Sequence, residues 1–260
     1  MTADLPLKDM GVVVTRPAHQ AQHLAQLITG AGGEAILFPV LEILDAADLR
    51  PLNALIARLD EFDVAIFISP NAVSKALNLI RAQRQLPQNL LIAAIGKGSR
   101  KALERCGITS IIAPEKQFDS EGLLALPQFQ DMHGKRVVIF RGEGGREMLG
   151  DTLISRGAIL EYAECYRRCK PVSDAAPLLH RWARGEVHAV TATSGESLHN
   201  LFDLLGEPGQ QWLMKTPLFV PHERIAQIAR GMGLEQVIVT PAGDEGLVIG
   251  LSEWAKHRKS

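Results

Sequence analysis

The sequence predicts an α/β protein with parallel, doubly wound sheets. Three observations predict it: short apolar runs recur along the chain, a Gly-, Ser- or Pro-containing loop and an amphipathic stretch follow each run, and the runs show no strict alternation. Strands without alternation are expected where helices cover both faces of a sheet. Strands alternating with helices are expected in parallel α/β sheets.

In chain order, the first run is Val12 to Thr15, followed by Arg16-Pro17 and a helical segment to about Gly30. Proline suits a first helical turn, where its missing N–H is not needed. Glu34 to Val40 reads as the second strand. The unit recurs at Asp63 to Ile68 before Ser69-Pro70-Asn71-Ala72, and at Leu90 to Ile95 before Gly96-Lys97-Gly98-Ser99. It returns at Arg136 to Phe140 before Arg141 to Arg146, at His188 to Thr191 before Thr193-Ser194-Gly195, and at Pro217 to Val220 before Pro221-His222-Glu223. Roughly ten strands are too many for one compact open sheet, so two flavodoxin-like sheets are the better reading. The segments 40–46 and 161–170 are extended, partly polar and followed by proline. If both cross between domains, one domain takes 1–40 and 170–260 and the other, 41–169, is inserted. Spacing alone leaves that topology open.

The 260 residues are 46% hydrophobic and 22% charged, with a formal net charge of -1. That balance disfavours a nucleic-acid binder, whose excess of Lys and Arg usually shows globally. It leaves room for a small anionic ligand held by a local cluster of donors. Three cysteines, Cys106, Cys165 and Cys169, form no CxxC pair, which points to a reducing compartment. No apolar run approaches the ~20 residues that span a bilayer, and no signal-peptide core is evident at the N-terminus. A cytoplasmic protein with no membrane association is expected.

The familiar cofactor motifs fail. Gly142 and Gly144 begin a GxGxxG pattern, but position 147 is Glu147. Gly96-Lys97 is followed by Gly98 where a phosphate-binding loop wants Ser or Thr, and Leu91 stands where its first glycine belongs. His19 and His23 are four apart but have no evident third ligand, so they read as a solvated helix face. Cys165 and Cys169 have no assignable partner base and read as structural. No cofactor and no metal are expected.

What remains is a set of loops at the carboxyl ends of strands, the edge where doubly wound sheets bind ligands. Each leads toward a helix N-terminus, whose unpaired N–H groups and dipole hold anions. The competing reading of each loop alone is an N-cap or turn. Six such loops on two domains point to a polyanion site.

These stretches resemble the uroporphyrinogen-III synthase family. The resemblance is carried by VVVTRP (12–17), IFISPNAV (66–73), IAAIGKGSRKALERCG (92–107), SEGLLALP (120–127), GKRVVIFRGEGGREMLGDTLISRGA (134–158), YAECYRRCKP (162–171) and TATSGESLHNL (191–201). It implies two flavodoxin-like domains joined by a two-stranded linker, the second inserted in the first. It also implies a cofactor-independent lyase that cyclises hydroxymethylbilane to uroporphyrinogen III with loss of water and inversion of ring D. The implied substrate-binding residues are Arg16, Ser69, Pro70, Asn71, Ala72, Gly96, Lys97, Gly98, Ser99, Arg141, Gly142, Arg146, Thr193, Ser194, Gly195 and His222. Thr193-Ser194 replaces the Ser-Pro that relatives often carry, and Pro221-His222-Glu223 replaces a Gly/Thr-type turn. The resemblance places a cleft-facing tyrosine at Tyr166, the implied catalytic acid. Tyr162, four residues earlier, falls on the same strand face if the strand is regular. The implied partner is the linear tetrapyrrole polycarboxylate, with the protein a monomer in transient contact with hydroxymethylbilane synthase. Two rivals are weighed against this: a periplasmic-type binder, which wants a signal peptide, and an NAD or nucleotide-sugar enzyme, which wants an intact glycine fingerprint.

Overall fold

The computed structural model describes residues 5–145 and 147–259. The chain opens with β1 (Gly11–Val14), α1 (Ala18–Gly30), β2 (Glu34–Leu37) and β3 (Glu42–Asp45). It continues through α2 (Arg50–Ala57), β4 (Val64–Phe67), α3 (Pro70–Gln83), β5 (Leu91–Ala94), α4 (Lys97–Arg105) and α5 (Ser120–Leu124). Next come β6 (Arg136–Gly142), α6 (Met148–Ser155), β7 (Ile159–Cys169), α7 (Ala176–Ala183) and β8 (Ala189–Thr191). It closes with α8 (Gly195–Lys215), β9 (Leu218–Val220), α9 (Glu223–Gly231), β10 (Val237–Val239) and α10 (Gly243–Lys259).

These elements form two compact units, residues 1–42 with 169–260, and residues 43–168. The first unit holds a five-stranded sheet in the order β10-β9-β8-β1-β2, and its strand pairs are parallel. Numbered within the unit this is the order 2-1-3-4-5, the flavodoxin-like doubly wound arrangement. The second unit holds β3-β7-β6-β4-β5. Its strands β4 to β7 repeat that order over four parallel positions. The fifth position is filled by β3, which comes first in the unit rather than last.

Alternate residues of each strand face opposite layers. In the second unit Ala65, Phe67, Val138 and Phe140 pack with α2 and α3, while Val64, Ile66, Val137 and Ile139 pack with α5 and α6. The first unit divides in the same way between Val13 and Val190 on one side and Val12, Val14 and Ala189 on the other. Both faces are therefore apolar, which is why these strands read as continuous runs. β10 is the one strand that the run-by-run reading leaves unnamed; it is three residues long and partly exposed.

Strand β7 departs from regularity. Arg141 of β6 pairs with Glu164, but the next residue, Gly142, pairs with Tyr166. Cys165 is the extra residue of a β-bulge, which shifts the in-and-out phase of the strand. Ala163, Cys165 and Tyr166 all join the α2/α3 side, whereas Tyr162 packs on the α5/α6 side. The expectation that Tyr162 and Tyr166 share a face is thus corrected: the strand is not regular between them. Buried Cys165 has its thiol pushed up to about 12 by desolvation, which leaves it unreactive.

Candidate active site

A cavity of about 450 Å³ opens at the carboxyl end of the second sheet. It lies at β4 and β6, where the strand order reverses and doubly wound folds bind ligands. Its apolar lining comes from Ile68, Ile95, Ile139 and Leu149; polar groups come from Arg141, Glu143, Tyr162, Tyr166 and Arg168. The combination of apolar walls with a few convergent polar groups is the usual composition of a small-molecule site.

Arg141, the last residue but one of β6, has only 8% of its surface exposed. Its guanidinium lies 3.8 Å over the Tyr162 ring, and Nη2 donates to Glu164 at 3.2 Å. Among the described residues, Nε and Nη1 have no hydrogen-bond partner. A buried cation with spare donors is costly unless an acceptor reaches it. The loop after it is pinned: Glu143 N–H donates to the Tyr166 carbonyl at 2.7 Å, and Gly144 N–H to Glu164 at 3.3 Å. Gly144 and Gly145 hold φ of 67° and 117°, left-handed values that favour glycine.

Tyr166 is 1% exposed. Its hydroxyl lies 3.0 Å from Ser69 Oγ. Ser69 is the N-cap of α3 and accepts the Ala72 N–H at 3.0 Å. Gly142 lies directly under the Tyr166 ring: a Cβ there would sit 2.7 Å from Cε2 and Cζ. The Tyr162 hydroxyl is packed against α6, where a Cβ at Gly150 would meet it at 1.9 Å. Burial raises the Tyr162 phenol above its ordinary value.

A family model described as "Uroporphyrinogen-III synthase HemD" matches residues 22–248. The chain belongs to the uroporphyrinogen-III synthase family. It is 36% identical over 242 residues to the uroporphyrinogen-III synthase of Escherichia coli (strain K12), covering 92% of this chain and 98% of that one. A putative uroporphyrinogen-III synthase of Methanothermobacter thermautotrophicus is 33% identical over 198 residues, 75% of this chain and 78% of that one. A mutant uroporphyrinogen III synthase from the extremely thermophilic bacterium Thermus thermophilus matches in fold, with a TM-score of 0.63 at 16% identity, covering 96% of this chain and 99% of that one. The uroporphyrinogen-III synthetase of Helicobacter pylori gives a TM-score of 0.59 at 14% identity, covering 96% and 99%.

Against this synthase family, the residues singled out in the sequence divide into three groups. Arg141, Gly142, Tyr166 and, through its hydroxyl, Ser69 gather around the cavity of the second unit. Pro70, Asn71 and Ala72 form the first turn of α3 behind Ser69; Gly96 caps α4, and Pro70 touches Gly98. Lys97 is exposed with its Nζ 4.3 Å over the Phe118 ring, and Ser99 is buried. The first unit carries Arg16, Thr193, Ser194, Gly195 and His222. Ser194 caps α8 by accepting the Ser197 N–H at 3.0 Å, and His222 precedes α9. Arg16 is paired with the Asp244 carboxylate at 2.6 Å. His23 also reaches Asp244, at 2.9 Å, so it does more than line a solvated face. Arg146 lies outside the described residues.

The sequence reading missed Tyr162 as the platform for Arg141, and Glu164 as its acceptor. The register Arg141 to Glu164 would have supplied the signal, but it follows from strand pairing that a single sequence does not declare. Asp244 was missed because it stands on α10, far along the chain from Arg16.

Proposed function

We propose that the protein cyclises hydroxymethylbilane to uroporphyrinogen III, releasing water and inverting ring D. The observation that carries this is the family match across most of the chain; the cavity of the second unit supplies chemistry that suits it. In the reaction the ring A hydroxyl leaves, driven by the pyrrole nitrogen lone pair, to give an electrophilic azafulvene. The substituted α carbon of ring D attacks it and forms a spiro-pyrrolenine, which fragments and recloses with ring D reversed. Three tasks fall to the protein: a proton for the departing hydroxyl, a folded substrate and exclusion of the uninverted closure.

Tyr166 is the group offered for the first task. A phenol hydroxyl can act as a general acid. Arg141 is offered for the second, its spare N–H groups meeting one of the acetate or propionate carboxylates of the substrate. The helix starts at Ser69 and Gly96 of the same unit add backbone N–H groups, so anchoring there is spread over several weak contacts. Holding a flexible chain in a reactive fold contributes several kcal/mol in favourable cases.

The same reading takes the protein as working without a cofactor. Its nucleotide motifs are incomplete, and no group of three or more His, Cys, Asp or Glu among the described residues could hold a metal. It further takes the protein as a cytoplasmic monomer in transient contact with hydroxymethylbilane synthase. Among the described residues no helix is long and apolar enough to cross a membrane. The division into 1–40 with 170–260 and an inserted 41–169 belongs to this reading and is supported by the two compact units.

The test is an assay on enzymatically generated hydroxymethylbilane, with the type I and type III products separated before and after dialysis against EDTA. Type III should dominate in both. Spontaneous type I alone would end the proposal, and activity lost to EDTA and restored by a metal would end its cofactor-free part.

A further inference from the structure

Ser69 stands where a helix cap and a buried phenol meet. Its Oγ accepts the Ala72 N–H at 3.0 Å and lies 3.0 Å from the Tyr166 hydroxyl. A serine hydroxyl offers one proton and two lone pairs. The cap takes one lone pair. It also fixes where the oxygen sits, because the side chain cannot rotate without releasing the first turn of α3.

The ring of Tyr166 is equally fixed. It is 1% exposed and lies against Gly142, where no Cβ could fit. The Cys165 bulge turns it onto the α2/α3 side of the sheet, toward Ser69. With ring and serine both held, the remaining freedom is the direction of two O–H bonds. If the phenol donated to Ser69, its proton would be tied up in that bond. If Ser69 donates, the phenol oxygen is satisfied and its proton is turned to the cavity that Tyr166 lines.

We propose that Ser69 is a positioning residue for Tyr166: its O–H donates to the phenol oxygen and aims the phenol proton into the cavity. The inference rests on the reading of Tyr166 as the acid. The proton passes from the phenol to the departing hydroxyl, which leaves as water. The phenolate then formed keeps the Ser69 hydrogen bond and faces the positive end of the α3 dipole. The proton lost from the other, unsubstituted α carbon of ring D at final closure restores the phenol, so no outside acid is consumed.

The test compares Ser69→Gly with Ser69→Thr. Glycine is nearly as good an N-cap as serine, so helix α3 is retained while the hydroxyl is lost. Threonine keeps both. Ser69→Gly should lower kcat about tenfold, as expected for one lost hydrogen bond, with KM nearly unchanged. Ser69→Thr should restore the rate. In a Tyr166→Phe background Ser69→Gly should cost nothing further. With 13Cζ-labelled tyrosine the protein gives two resonances, and the one missing from Tyr166→Phe identifies Tyr166. That resonance should move in Ser69→Gly and stay in Ser69→Thr. An undiminished Ser69→Gly loss in the Tyr166→Phe background would overturn the proposal, as would an unmoved resonance. If Tyr166→Phe alone kept full turnover, the acid reading would fail, and the resonance would still decide whether Ser69 holds the phenol.

Discussion

The two sheets share a strand order over four positions but treat their reversal points differently. In the first unit the seam between β1 and β8 is stitched by buried side chains. Thr15 Oγ1 donates to the Thr191 carbonyl at 2.8 Å, and Thr191 Oγ1 donates to the Val13 carbonyl at 3.0 Å. The cation at its mouth, Arg16, is neutralised by Asp244. In the second unit the seam between β4 and β6 leads to a cavity, with a phenol, a serine hydroxyl and an undersupplied guanidinium around it. One topology thus supports a closed seam that holds strands together and an open one that holds reactive groups. The difference lies in a few side chains at equivalent places, which is where fold and function separate.

The comparison breaks first at Tyr166. Removing its hydroxyl in Tyr166→Phe should slow type III formation by ~10²-fold or more, the scale of general acid catalysis. Tyr162→Phe should keep nearly the full rate, since its ring still carries Arg141 and its hydroxyl is packed under α6. Single-turnover product analysis reads both; equal losses would mean that the open seam has no special acid.

The next effect is on binding. Arg141→Met should raise KM about tenfold, the value of a charge-assisted hydrogen bond. Arg16→Met should raise it less and lower the thermal midpoint more, because it removes the guanidinium from Asp244, which is 8% exposed, and leaves that carboxylate to His23. Steady-state kinetics beside thermal unfolding sharpen the contrast, and the reverse ranking would place the anion site in the first unit.

A smaller effect is expected for the stitch itself. Thr191→Val keeps the shape but leaves Val13 without its side-chain donor. It should cost about 1 kcal/mol, seen as a lowering of the thermal midpoint by roughly 2–4 °C, with turnover unchanged. A marked loss of turnover would show that the closed seam takes part in the reaction.

The smallest effect concerns features that the units share at the amino ends of their sheets. Hydrogen bonds from Arg184 and Arg181 hold Glu186 down at about 2, and Arg181 lowers Glu34. The Arg136 N–H lowers Asp63, and Arg58 lowers Glu161. Carboxylates held below their unfolded values stabilise the fold above those values. That contribution is lost as pH falls through the folded ones. Both units should therefore weaken below about pH 4. Glu186→Gln should make the pH dependence of stability between pH 4 and 2 slightly shallower. A change no larger than experimental scatter would accord with the weakness of exposed pairs, whereas a steeper dependence would reverse the assigned sign.

How much of this was legible in the sequence follows from the range of the forces involved. Runs such as Val137 to Phe140 are strands buried on both faces, and local composition declares them. Ser69 and Ser194 announce helix starts because capping is decided within three residues. The bulge at Cys165 was invisible, since nothing in the run EYAECYRRC says which residue the neighbouring strand will skip. That Gly142, which the resemblance implies as a substrate contact, also makes room for the Tyr166 ring depends on strand register. The pairing of Arg16 with Asp244, and the stack of Arg141 on Tyr162, depend on register and tertiary packing.

The placement of β3 and β7 has a consequence for synthesis. Every strand of the second sheet lies between Glu42 and Cys169, so that sheet is complete once β7 has left the ribosome. The first sheet is not. Gly11 N–H must wait for the ring of His188, 177 positions later, and β1 has β2 alone for company until β8 is made. Pairings of such long sequence separation form slowly, and unpaired strand edges are open to association. The unit that carries the cavity is therefore the first to mature, while the opening β1-α1-β2 segment spends most of translation with an unprotected edge.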